Sequence, residues 1–216
     1  MTIQKPNDFT ATDRGLALAN FKTGSRILDV GCGEGDTVNH LNEKGFKAEG
    51  IDINLVKISN AKAKHPDIEV KFGDGSFLDD YLSFTFDGVF MEDSLSQINQ
   101  PDEALHEAYC VMKKGGRIII RDKYEKNPDP NKVKATAIEA ARQARIPHKE
   151  GECDEGTTER LVDFRLRGVF FKDQLLSQLK DEIGFRVMQF EDLGTEDKDD
   201  EGRTIGSFLL IAQKPI

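Results

Sequence analysis

The feature that most constrains this chain is an alternation of two periods. Short apolar runs at 26–30, 47–51, 68–72, 86–91 and 117–121 read as strands, and helix-period stretches near 36–44, 54–64 and 102–113 lie between them. Strands separated by helices need crossover connections, which implies a parallel sheet and an α/β fold. In the third helix Ala104, Leu105, Ala108, Val111 and Met112 share one face. Pro101 suits a first helical position, Asp102 and Glu103 suit the first turn, and Lys113-Lys114-Gly115 suits the stop.

The C-terminal third follows a different plan. Residues 131–145 are helical in pattern, with Val133, Ala137, Ile138, Ala141 and Ala144 on one side, and lead into the polar IPHKEGECDEGTTER. Residues 124–168 therefore read as an insertion after the fifth strand. Phe171, Leu175, Leu176, Leu179 and Ile183 make another helix face, and 185–190 and 205–212 read as the final strands. The acidic EDLGTEDKDDEGR between them reads as a solvated loop. A length of 216 residues holds one large domain, here with its insertion, and a core that needs no staples.

Charge and cysteine usage narrow the partners. Lys and Arg number 30 against 39 Asp and Glu, a net charge of −9, and a surface of that sign repels phosphate backbones, so no nucleic-acid partner is expected. Cys32, Cys110 and Cys153 are too few and too scattered for a disulfide framework or a zinc cluster, which implies a reducing compartment. The opening MTIQKPNDFTATDRG lacks the apolar core of a signal peptide, and no apolar run approaches membrane-spanning length. A cytoplasmic protein without membrane contact is expected.

The chemistry concentrates at 27–37, ILDVGCGEGDT. A strand ending in a glycine turn before a helix lets a ligand meet the backbone and the helix N-terminal amides. Gly31, Gly33 and Gly35 make that turn, and Asp29, Glu34 and Asp36 surround it with carboxylates. A dinucleotide loop wants G-x-G-x-x-G with little negative charge, because its pyrophosphate is anionic. A cationic ligand in close backbone contact fits this turn better. Two more acids stand at successive strand ends. Asp52, in EGIDIN, lies about twenty residues past Gly31, where a ribose diol is gripped. Asp74, in VKFGDGS, is either a ligand contact or half of an ordinary Asp-Gly turn.

The stretch resembles motif I of class I S-adenosylmethionine-dependent methyltransferases. The resemblance spans residues 24–124 and includes FDGVFMEDSLSQINQPDEALHEAYCVMKKGGRIIIRDKY, which is similar to the small-molecule branch that contains quinone-biosynthesis enzymes. K-K-G-G stands where that branch usually has K-P-G-G. The resemblance implies S-adenosylmethionine as cofactor, with Asp29 facing its positive sulfonium and ammonium groups and Gly31, Cys32, Gly33 and Gly35 forming the turn. It further places Asp52 at the ribose, Asp74 and the Gly75 N–H at the adenine, and Ile53 and the Glu92 backbone among the cofactor contacts. The fold it implies is a Rossmann-like doubly wound sheet of about seven strands, order 3-2-1-4-5-7-6, the last antiparallel. Arg14, in DRGLALANF, is either a partner for the cofactor's carboxylate or a solvated arginine.

Methyl transfer is an in-line displacement at an activated carbon, so a base is needed only if the acceptor holds a proton. Acceptor contacts belong outside the carboxyl ends of strands four and five. Asp93 is the first candidate for substrate contact or base; Asp122 and Tyr124 are either catalytic or turn residues. Segments 1–23 and 124–168 are candidate covers. The insertion, with His148 in its loop, either walls the acceptor pocket or packs outside it or on a second subunit. No histidine or cysteine has a companion at metal-ligand or nucleophile spacing, so no metal is expected. MEDSLS, after the fourth strand, lacks the Asn-Pro-Pro-Tyr type run of nucleic-acid methylation. The expected function is methylation of a small-molecule acceptor by a monomer or homodimer. The alternatives are a non-catalytic cofactor-binding sensor or partner subunit, and an NAD-dependent oxidoreductase.

Overall fold

The computed structural model describes residues 8–131, 133, 165–166, 168–194 and 196–216. Most of the expected insertion, including the helical pattern at 131–145, His148 and Cys153, lies outside the described residues.

The N-terminal half alternates as its sequence demands: α1 (Thr10–Ala19), β1 (Arg26–Val30), α2 (Asp36–Glu43), β2 (Lys47–Asp52), α3 (Leu55–Lys64), β3 (Glu69–Phe72), β4 (Phe86–Glu92), α4 (Pro101–Val111) and β5 (Met112–Glu125). After it come β6 (Arg165–Leu166), β7 (Val169–Phe170), α5 (Lys172–Ser177), β8 (Arg186–Asp192), β9 (Asp197–Lys198) and β10 (Thr204–Gln213). The main path of the sheet runs β3-β2-β1-β4-β5-β10-β8, with β6, β7 and β9 attached at its side. The first five strands are parallel, and β10 lies antiparallel to both β5 and β8. With β8 and β10 as the sixth and seventh strands, this is the expected order.

Each central strand is apolar on both faces because each face meets helices. Ile118 and Ile120 of β5 point into a core with Val89, Met91, Leu105 and Ala108, which α4 and α5 cover. Ile119 points the other way, to Ile27, Phe90, Val38 and Leu16 beneath α1 and α2. Gly15 brings α1 down onto this second face: a Cβ there would stand 2.9 Å from Ile119 Cγ2. Asn54 starts α3 by accepting from the Val56 and Lys57 amides at 3.0 and 3.2 Å.

Three expectations need correction. The Lys113-Lys114-Gly115 segment does not close α4, because Met112 is already extended (ψ 142°) and pairs with Phe86 of β4. The next matched pair is Gly88 with Arg117, so the K-K-G-G stretch is absorbed as a bulge inside β5. The acidic stretch is not wholly a solvated loop. Asp197–Lys198 pairs with β10, and the buried Arg203 closes the hairpin through Nε–H to Asp199 Oδ2 at 2.6 Å. The helix face from Phe171 to Ile183 is shared between α5 and a π-helical turn, Gln178–Ile183, that ends on Gly184 at φ 96°.

Candidate cofactor and acceptor site

The carboxyl ends of β1, β2, β3 and β4 open onto a cleft of ≈ 540 Å³. Of the residues singled out in the sequence, Gly31, Asp52, Ile53, Asp74, Gly75, Glu92 and Asp93 line it. A volume of this size lies within the usual range for small-molecule sites, about 300–1,000 Å³.

The glycine turn is locked from two sides. Gly31 has φ 82°, and a Cβ on it would lie 2.4 Å from Ser94 Cβ, so only glycine lets the turns after β1 and β4 meet. Ser94 Oγ then donates to the Val30 carbonyl at 2.6 Å, tying the two turns together. Asp52 fixes the other side: the Gly33 amide donates to Oδ2 at 2.9 Å and the Asn54 amide to Oδ1 at 2.7 Å. Each carboxylate oxygen keeps a further lone pair for a ligand hydroxyl. Nothing lies within 4 Å of the position a Gly33 Cβ would take, so the turn faces open space.

Asp74 carries both readings at once. It accepts from the Ser76 amide at 2.9 Å, which makes the turn, and it lines the cleft. Gly75 is buried in the cleft wall, where a Cβ would stand 2.6 Å from Val30 Cγ1 and 3.0 Å from Ile98 Cδ1. Ile53, 63% exposed, offers an apolar surface at the rim.

Asp29 is buried at the end of β1, and no described donor hydrogen-bonds to its carboxyl. Burial drives its pKa well above the usual carboxylate range, and the nearby Glu92 and Asp52 charges push it further. Glu92 is also raised by burial, against Arg121 and Thr12, which favour its charged form. Thr12 of α1 donates to the Glu92 carboxylate, with 3.0 and 2.9 Å to its two oxygens, and Thr37 of α2 stands 3.4 Å from Oε2. The sequence reading gave Glu92 a backbone role beside the cofactor; its side chain in addition joins the sheet to the cap helix. Arg121 Nε lies 3.9 Å from Glu92 Oε1, which leaves Asp29 the less compensated acid of the two.

Asp93 adopts φ 51°, the left-handed region, at the mouth of the cleft. Its amide donates to the Arg121 carbonyl at 2.7 Å and its Oδ2 meets Arg121 Nη2 at 2.7 Å. The Gln97 side-chain amide donates to its carbonyl. Such backbone strain is held in place by surrounding contacts and clusters at functional sites.

Other candidates are not brought to the cleft. Tyr124 is 7% exposed, its ring edge-on to Phe190 and Phe208 in the core, and its hydroxyl is paired with Asp192. Asp122 is a turn residue: buried, it accepts from the Ser96 and Lys123 amides at 2.9 and 2.8 Å and holds the 3-10 turn Leu95–Gln97 that walls the cleft. Arg14 pairs with Glu191 of β8 at 3.1 Å. Cys32 is buried beneath the turn, and burial pushes its thiol far up. His40 and His65 are held by Asp13 and Asp36, each at 2.7 Å. Among the described residues no group of three or more His, Cys, Asp or Glu is arranged to hold a metal, and no helix is long and apolar enough to cross a membrane.

The sequence reading missed the polar lining contributed by Asn54, Lys57, Gln97, Asn99 and Gln100, and the inner contacts of Thr12, Thr37 and Arg121. For the segment 97–100 a signal existed, a run of amides directly before the Pro101 helix start.

A strand-end acid over an open glycine turn, followed by an acid after β2 and an Asp-Gly after β3 on the same cleft, belongs to one class, the class I fold that binds S-adenosylmethionine. The chain belongs to the methyltransferase-domain family, whose model matches residues 21–197. Among curated proteins it is 30% identical over 99 residues to a demethylmenaquinone methyltransferase of Renibacterium salmoninarum, covering 46% of this chain and 41% of that one. It is 26% identical over 187 residues to the methyltransferase phqN of Penicillium fellutanum, covering 81% and 50%. The chain thus spans about half or less of the length of these relatives. Among solved structures, an S-adenosylmethionine-dependent methyltransferase of Methanosarcina mazei superposes with a TM-score of 0.64 at 24% identity, covering 91% of this chain and 95% of that one, which supports the fold.

Proposed function

We propose that this protein transfers a methyl group from S-adenosylmethionine to a small-molecule acceptor. The observation that carries the reading is the buried, unpartnered Asp29 carboxyl beneath a glycine turn open at Gly33. Such a group is costly unless a cation compensates it, and the cofactor is a cation at that end. The small-molecule acceptor draws support from a relative named as a demethylmenaquinone methyltransferase.

When bound, S-adenosylmethionine supplies a methyl group already activated by its sulfonium. The protein's own part is alignment and exclusion of water. Asp52 and Asp74 would hold the ribose and adenine ends, the turn from Gly31 to Gly35 would accommodate the backbone-hugging chain, and Asp29 with Glu92 would fix the positive end. Asp93 and Gln97, in the turn after β4 at the mouth of the cleft, face the approach of the acceptor. Asp93 is already ion-paired to Arg121, so it serves as an orienting contact for an acceptor that needs little proton removal.

Titration calorimetry with S-adenosylmethionine, S-adenosylhomocysteine and NAD tests the cofactor, and incubation with demethylquinols tests the acceptor class. Binding of the two sulfur nucleosides without NAD, and formation of S-adenosylhomocysteine with an acceptor, is the expected result. NAD bound and S-adenosylmethionine ignored overturns the proposal. Tight cofactor binding with no turnover on any acceptor favours the non-catalytic alternative.

A further inference from the structure

The carboxyl ends of β2 and β3 form a corner that carries most of the large apolar side chains exposed among the described residues. Ile53 follows β2, Leu55 and Val56 open α3, and Phe72 closes β3 in register with Asp52. Phe77 stands in the next turn, its amide donating to the Asp74 carbonyl at 3.0 Å. These side chains are 53% to 69% exposed. Their exposed area, on the order of 600 Å², is at the top of the range for one patch on a monomer and approaches the ~800 Å² that each partner gives to a standard interface.

The same corner ends an open edge. Among the described strands β3 pairs with β2 alone, so its outer row of backbone groups has no partner strand. The strand reads Glu69-Val70-Lys71-Phe72. Val70 points to the α3 side, in one cluster with Ile58 and Ala61. Lys71 points to the other face, where its Nζ meets Asp80 Oδ2 at 3.4 Å and lies 4.2 Å from the Tyr81 ring centroid. By alternation Glu69 shares the face of Lys71.

We infer that a second copy of this chain occupies this edge, through antiparallel β3–β3 pairing about a two-fold axis perpendicular to the sheet. Such an axis keeps every residue on its own face, so it passes beside one residue of the strand, which then faces its own copy. At Glu69 it sets carboxylate against carboxylate, and at Lys71 ammonium against ammonium. At Phe72 it leaves most of the strand facing the turn beyond. At Val70 it sets Glu69 against the partner's Lys71 on both sides of the axis, and Phe72 against the partner's Ile68. Charge therefore selects one register, and that register is self-complementary. The two charges blunt the edge toward unrelated strands and fit it to its own copy. Because the strands are antiparallel, the apolar corner of each copy lies over the amino end of the other's β3. Ile53 also lines the cleft, so the seam runs beside the rim of each site.

Sedimentation of the full chain, without ligand and over the micromolar range, tests the pairing independently of the proposed cofactor. The parent is expected to be a dimer. Glu69→Lys sets lysine against lysine twice, and Lys71→Glu sets glutamate against glutamate twice. Each is expected to raise the dimer dissociation constant about tenfold or more. The Asp80 side chain is 79% exposed, so water screens it from a glutamate at position 71. Mixed in equal amounts, the two variants again oppose unlike charges at every facing pair, and a heterodimer near the parent's affinity is expected. That mutual rescue separates the β3 seam from a dimer formed elsewhere. A parent that stays monomeric overturns the inference. So does a dimer that neither substitution weakens, or a loss that mixing does not restore. Where either variant does not fold, Phe72→Ser carries the test: a dissociation constant raised about tenfold or more supports the inference, and an unchanged one refutes it.

Discussion

Replacing Asp29 by Asn should make the ligand-free protein more stable and the cofactor complex weaker. The carboxyl is 3% exposed, accepts no described hydrogen bond, and faces Glu92 and Asp52. An unsatisfied buried polar group costs about 1–3 kcal/mol, and an amide of the same shape avoids the ionic part of that cost. At about 2–4 °C per kcal/mol for a chain of this size, the melting temperature near neutral pH should rise by roughly 2–12 °C. The pH dependence has a definite sign. The native state holds the Asp29 proton to higher pH than the unfolded chain, whose aspartates ionise near about 4. Stability from this group is therefore full below that value and is lost as pH rises through the folded pKa. The gap between variant and parent should open from pH 4 upward, since Asn removes the loss. Calorimetry in parallel should show S-adenosylmethionine affinity reduced by about 1.5–3 kcal/mol, the worth of a charge-assisted contact. A variant less stable than the parent by the same amount at every pH, with unchanged cofactor affinity, would falsify the reasoning.

Further perturbations separate the remaining roles. Asp52→Ala should weaken S-adenosylmethionine binding by about 1.5–3 kcal/mol, measured by calorimetry, because it removes the ligand contact and also the clamp on Gly33. Gly31→Ala should destabilise the fold by about 1–3 kcal/mol in urea melts, since its Cβ collides with Ser94 at a left-handed φ; a neutral result would mean that the turns after β1 and β4 can part freely. Thr12→Val should loosen α1, read as faster amide exchange over residues 10–19 with the sheet amides unaffected. Tyr124→Phe should leave turnover within about twofold and cost about 1 kcal/mol of stability through the lost Asp192 bond.

What could be read in the sequence depended on how local the signal was. Asp52 and Asp74 follow apolar strands directly, so position along the chain already gives position in space, and the strand order follows from the crossovers. The antiparallel insertion of β10 has no such signal and came from family likeness. The α4–β5 boundary slipped because Met112 completes the helical apolar stripe while its backbone is already paired with Phe86. Arg121 was unreadable as the partner of the cleft acids: it meets Asp93 and Glu92 across a strand pair, contacts no residue period announces. Thr12 reaches Glu92 across 80 positions, and only the packing of α1 brings them together. Tyr124 failed for the opposite reason. A strand end marks where the chain leaves the core only if the strand stops there, and β5 continues to Glu125 beside β10.

The place of β10 has a consequence for the order in which the sheet can assemble. Among the described strands β8 pairs with β10 alone, so although synthesised first it has no partner until residues 204–213 exist. Until then β5, carrying Ile118, Ile119 and Ile120 in sequence, is an open apolar edge of the kind that recruits other chains. Pairing β10 with β5 spans residue pairs from Ile205–Glu125 to Gln213–Arg117, a long loop closure that precedes any gain. Completion of the sheet is thus a late folding step. A nascent chain that stalls before Thr204 exposes its most aggregation-prone strand.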